Sequence, residues 1–100
     1  MTNSINITLI STGYKGRLHI KDNVWISESW KISKDSAKSL IGGLISLHEH
    51  KKDDSYEVGR ITGYYETNGR YALVYQQLDN QTNVVTGSDK NWGQEKAFYE

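Results

Sequence analysis

The chain has 100 residues, 36% of them hydrophobic and 24% charged, with twelve basic against twelve acidic side chains and no cysteine. That length allows one compact core burying roughly 60 to 65% of the surface the unfolded chain exposes, and excludes a second domain, so 1–100 reads as a single domain. The missing cysteines exclude disulfides, thiolate nucleophiles and cysteine zinc sites, and the balanced charge excludes the long-range field of an indiscriminate nucleic-acid binder.

In chain order, Ile5, Ile7 and Leu9 alternate with polar residues and predict a half-buried strand over 5–10, followed by a loop Thr12-Gly13-Tyr14-Lys15-Gly16. Arg17 to Ile20 and Val24 to Ser27 read as the arms of a hairpin around Lys21-Asp22-Asn23. The helix signal lies at 33–42. Ser33 can cap the first turn, Asp35 sits where the helix dipole favours negative charge, Gly42 can stop the helix, and Ala37, Leu40 and Ile41 share one face. Strands return at Leu44 to Glu49, then Tyr56 to Glu66, and Asn68-Gly69 predicts a tight hairpin into Arg70 to Leu78. Tyr71, Leu73 and Tyr75 on one side of that strand and Ala72, Val74 and Leu78 on the other predict a central strand covered on both faces. Asp79 to Asn83 reads as a turn, Val84-Val85 as a short strand, and Gly87 to Gly93 as a loop leading into Gln94 to Tyr99. The expected fold class is α+β: a small β-rich curled sheet or partly open barrel of five to six mainly antiparallel strands with one short helix.

No run approaches the roughly 20 apolar residues of a membrane span, and 1–10 lack the basic and apolar regions of a signal peptide; the chain reads as cytoplasmic, with no membrane partner. Residues 1–40 hold six Lys or Arg against three acids, and 41–100 hold six against nine, so one end is mildly basic.

Catalytic signals are incomplete. His48-Glu49-His50 can turn two imidazoles to one side of a strand with Asp53 or Asp54 nearby, but a zinc site wants three well-held ligands, and a structural histidine is the simpler reading; no metal and no cofactor are expected. No Gly-x-Ser-x-Gly elbow is present, and Glu49, Glu57 and Glu66 read equally well as strand-edge charges. Gly13-Tyr14-Lys15-Gly16-Arg17 can expose amides beside two cations, yet lacks the phosphate-loop pattern, and an ordinary turn is the default. No catalytic residue is assigned, and the balance leans away from an enzyme.

Seven Tyr, three Trp and one Phe exceed what so small a core needs. Exposed Trp and Tyr stack bases or anchor protein interfaces, because both offer rigid area at low entropic cost. The first expectation is therefore a non-catalytic pocket for a nucleotide or an unpaired or modified base of nucleic acid. In it Trp30 and Trp92 stack, His48 and Tyr56 hydrogen-bond, and Arg17, Lys31 and Lys34 touch phosphate. The alternative is a small inhibitor or adaptor that binds and blocks a host protein, using exposed aromatics with Asp53, Asp54 and Glu57 as a DNA-like acidic surface. An exposed strand edge can also pair two copies into a homodimer.

The segment Trp30-x-Ile32-Ser33, Ala37, Leu40-Ile41-Gly42-Gly43, Leu47-His48, Ser55-Tyr56 and Gly59-x-Ile61-x-Gly63-Tyr64 resembles the middle of a PUA-like domain of the ASCH or EVE kind. The resemblance covers 30–64 and implies a small β-barrel that holds nucleic acid, or one nucleotide with an altered base, between barrel and helix. In general look the chain is also similar to small phage or prophage proteins that bind a host machine.

Overall fold

Nine glycines and no proline leave every strand free to donate along its ladder and place the breaks at turns. The computed structural model describes residues 5–11, 17–79, 82–93 and 96–99. The strands are β1 (Asn6–Ile10), β2 (Arg17–Lys21), β3 (Val24–Trp30), β4 (Leu44–His48), β5 (Glu57–Thr67), β6 (Arg70–Gln77) and β7 (Lys96–Tyr99), with one helix, α1 (Lys34–Leu40), between β3 and β4. They form one sheet in the order β2-β3-β6-β5-β4-β1-β7. Every neighbouring pair is antiparallel except β1 and β4, which run parallel with Ile7 opposite Ile45 and Leu9 opposite Leu47. The fold is thus the expected α+β class with a curled, mostly antiparallel sheet that does not close into a barrel. Among the described residues it has seven strands where five or six were expected.

The hairpin turns follow local chemistry. Asn68 and Gly69, at φ 51° and 76°, adopt the left-handed pair that joins β5 to β6, and Asp22 at φ 48° opens the β2–β3 turn. The ladder shifts register between His19 and Lys21 in β2, between Ile26 and Ser29 in β3, and between Ile61 and Gly63 in β5. Such irregularities bend strands and deepen their twist, and here they curl the β2-β3-β6-β5 half of the sheet.

The inner face carries the core: Ile7, Leu9, Trp30, Ile45, Leu47, Ile61, Leu73 and Tyr75, capped by Leu40 of α1. Each such side chain contributes about 1.5–3 kcal/mol by leaving water. The helix is two turns long and depends on this packing. Ser33 Oγ accepts the Ser36 amide at 3.0 Å, Ala37 and Leu40 are buried, and Gly42 at φ 90° follows the last turn. Ile41, expected on the buried face, is 42% exposed, because the helix stops at Leu40 and Ile41 is the extended C-cap residue. Central β6 buries Tyr71, Leu73 and Tyr75, while on its other face Ala72 is buried, Val74 half-buried and Gln76 exposed; cover there is partial. Val84-Val85 is not a strand: Val85 is tied to Ser55 by a backbone bond of 2.9 Å to its carbonyl and by its own amide on Ser55 Oγ at 2.9 Å. The expected loop at 12–16 lies outside the described residues. Among the described residues no helix is long and apolar enough to cross a membrane.

Candidate functional site

Two polar groups of side chains stand out, one on each face of the sheet. The first begins with Glu57. Its pairing opposite Leu47 puts it on the inner face, so a carboxylate faces the core end and is only 2% exposed. A buried charge must be paired and hydrogen-bonded. Arg17 Nη1 lies 2.7 Å from Glu57 Oε1, Gln77 Nε2 donates to the same oxygen at 2.9 Å, and the Tyr75 hydroxyl donates to Oε2. Burial, and then the bond to Glu57, push the Tyr75 hydroxyl pKa far above its ordinary value.

Arg17 belongs to β2 and Glu57 to β5, three strands apart in the sheet. On a flat sheet three steps of about 4.8 Å separate the strands by about 14 Å, too far for a 2.7 Å contact between these side chains. The curl brings edge strand β2 over the inner face, and the ion pair spans the concavity. The Arg17 guanidinium also sits 4.0 Å from the centre of the Trp25 ring, and His19 packs on Trp25 with centroids 4.6 Å apart. Tyr56, half-buried nearby, donates its hydroxyl to the Ser11 carbonyl, and burial raises its pKa. Trp25 Nε1 and Ser11 Oγ are buried here with no hydrogen-bond partner among the described residues.

The second group centres on His48, fully buried on the outer face with Thr8 and Ser46. Its Nδ1 lies 2.9 Å from the Asp53 carbonyl and its Nε2 3.1 Å from Ser46 Oγ. A carbonyl only accepts, so Nδ1 carries the proton and Nε2 accepts from the serine hydroxyl. The Trp92 ring meets the imidazole edge-on at 5.4 Å, and Trp92 Nε1 donates to the Gly87 carbonyl at 2.8 Å. With both nitrogens engaged, His48 is not placed to ligate a metal. Among the described residues no three His, Asp or Glu side chains gather as a metal would need. Beside this group an open groove of about 390 Å³ is lined by Ile10, Glu49, His50, Lys51 and Lys52.

The residues expected to share one pocket are therefore divided. Arg17 and Tyr56 lie at the Glu57 cluster on the inner face, and His48 and Trp92 touch each other on the outer face. Trp30 is a core residue at 4% exposure, so its ring faces are spent on packing, while Lys31 and Lys34 are exposed at the entry to α1. Sequence reasoning passed over Tyr75, Gln77, Trp25 and His19 as site residues, and it read Glu57 as a strand-edge charge or part of an acidic surface, whereas at 2% exposure Glu57 is buried on the inner face and offers no surface to a partner. The spacing Tyr75-x-Gln77 was a usable signal: two polar tips on one face of a central strand need a buried partner opposite. Comparison with protein-family models, curated proteins and solved structures finds no match to this chain.

Proposed function

We propose that this chain is a non-catalytic binding module that takes a nucleotide or an unpaired base at the Arg17–Trp25–Tyr56 end of the inner face. The observation that carries the reading is the Arg17 guanidinium held over the half-buried Trp25 ring by a buried carboxylate. A cation and an aromatic ring fixed in one place form a stacking platform without further ordering on binding, which is how single-stranded bases are held. Lys31 and Lys34, exposed beyond the opposite end of β3 and about 20 Å along the strand from Trp25, can meet phosphate only on a ligand several nucleotides long. The PUA-like resemblance favours the same ligand class, and a cytoplasmic setting, in keeping with the absence of cysteine, belongs to the proposal.

The test is fluorescence anisotropy of labelled single-stranded and duplex oligonucleotides, with and without modified bases, at physiological salt. Base-dependent binding is expected, and Trp25→Ala should weaken it about tenfold, since stacking contributes about 1–3 kcal/mol per base. Absence of binding to every oligonucleotide and mononucleotide tried refutes the reading.

A protein partner is the second reading, favoured by Leu18 and Ile20, which are 72% and 51% exposed on edge strand β2. Exposed apolar side chains grouped at a sheet edge suit an inhibitor or adaptor that covers a host protein. It expects a stoichiometric partner from a bacterial lysate that Leu18→Asp no longer retains. The same edge can pair with a second copy, a case that light scattering separates by a doubled mass.

A further inference from the structure

Residues 84–93 form a strap across the outer face, outside the strand ladders. Val85 is pinned to Ser55, Trp92 Nε1 to the Gly87 carbonyl, and the Lys51 ammonium to the Gly93 carbonyl at 2.8 Å. Gly87 lies so close over the β4–β5 turn that a methyl group added there would collide with the Asp53 and Lys51 carbonyls and come within 3.2 Å of His48 Nδ1. The imidazole is thus enclosed between its own strand and the strap.

We infer that His48 is the latch of a pH-sensitive strap: a proton taken up on Nε2 releases residues 84–93 from the outer face while the sheet stays folded. In the closed form Nδ1–H donates to Asp53 and Nε2 accepts from Ser46. Protonation turns Nε2 into a donor facing Ser46 Oγ, forces that hydroxyl to reverse, and leaves a full charge in a site closed to water. The strap is the element that yields, because it is held at its two ends by single backbone bonds, Ser55 N–H to the Val85 carbonyl and Gly93 N–H to the Lys96 carbonyl, and between them by a few side-chain bonds, whereas His48 also sits in the β1–β4 pairing opposite Ile10.

The charged groups around the ring work in both directions. Burial, the largest influence, holds the imidazole below its ordinary pKa, and Lys90 of the strap adds to that; the Asp53 carbonyl and the carboxylates of Asp54 and Asp53 oppose it. From β1 the neighbours are Ile10 and the Ser11 amide, which bonds to the His48 carbonyl, and from β4 Ser46; none carries a charge. The strap therefore stays closed at neutral pH and opens at a midpoint below about 6.5.

The experiment follows the His48 ring and the Trp92 indole N–H by nuclear magnetic resonance from pH 7.5 to 4.5. The two are expected to share one midpoint, with the β5 and β6 amides unmoved, and His48→Asn, which keeps a donor towards Asp53 and cannot titrate there, is expected to hold the indole signal in place. A Trp92 signal that stays still while His48 titrates, an unaltered release in His48→Asn, or loss of the β5–β6 signals at the same midpoint overturns the latch. Should His48→Asn fail to fold, the two wild-type midpoints decide alone: unequal values overturn it.

Discussion

Glu57 is the side chain whose neighbours leave least freedom: three donors converge on two oxygens that water barely reaches. In Glu57→Gln the guanidinium of Arg17 loses the buried carboxylate and one amide hydrogen points at a donor, so urea denaturation should show a loss of about 3 kcal/mol, at the lower end for breaking a buried pair. Replacing a surface acid such as Glu66 should cost a few tenths of that. Tyr75 and Tyr56 supply a pH dependence at the other extreme. Both hydroxyls are held above their ordinary pKa by burial, so the unfolded chain, whose tyrosines ionise near pH 10, sheds protons first. Stability present below about pH 10 should decline as pH rises above it, and urea midpoints at pH 9 and 11 measure the difference.

At the scale of elements, the short-range signals were legible and the long-range ones were not. The Ser33 cap, the Asn68-Gly69 turn and the alternation in β1 and β6 act over a few residues, and each forms as its local chemistry requires. Gly69→Ala forces a side chain into a left-handed conformation and should cost about 1 kcal/mol, as should Ser33→Ala through the lost cap; thermal denaturation of each variant checks both. Ile41 was misplaced because the helical period was carried one residue past the point where the backbone becomes extended. Val84-Val85 read as a strand because two β-branched residues resemble one, although Ser55 satisfies Val85 without a ladder. The candidate site was the least legible part. It depends on which strands curl over which, and a sequence that shows Arg17 and Glu57 forty positions apart carries no local mark of their contact. Trp30, by contrast, looked like a surface aromatic because three tryptophans exceed a small core's needs, whereas the curl makes room for it.

The whole molecule is a sheet with two open ends, β2 and β7, and each is protected differently. Edge β2 carries a register shift between His19 and Lys21 that limits strand pairing to its Arg17 end, where Leu18 stands exposed. Edge β7 shields β1, whose Ile7, Thr8 and Leu9 are fully buried. Ending the chain after Gly93 should therefore leave β1 as a bare apolar edge, and the truncated protein should aggregate where the full chain does not, as light scattering of the two at equal concentration reveals.

The position of β1 between β4 and β7 also dictates an order of events. β5 and β6 are joined by a two-residue turn and can zip as soon as both exist, whereas β1 needs β4, with registers 38 positions apart, and then β7, whose Ala97 pairs with Thr8 and accepts its hydroxyl across 89 positions. β1 is thus the strand whose second neighbour arrives only with β7, 89 positions further along. Refolding from denaturant should be slow for a domain of this size, limited by the closure of that long loop and not by the hairpin that nucleates beside it.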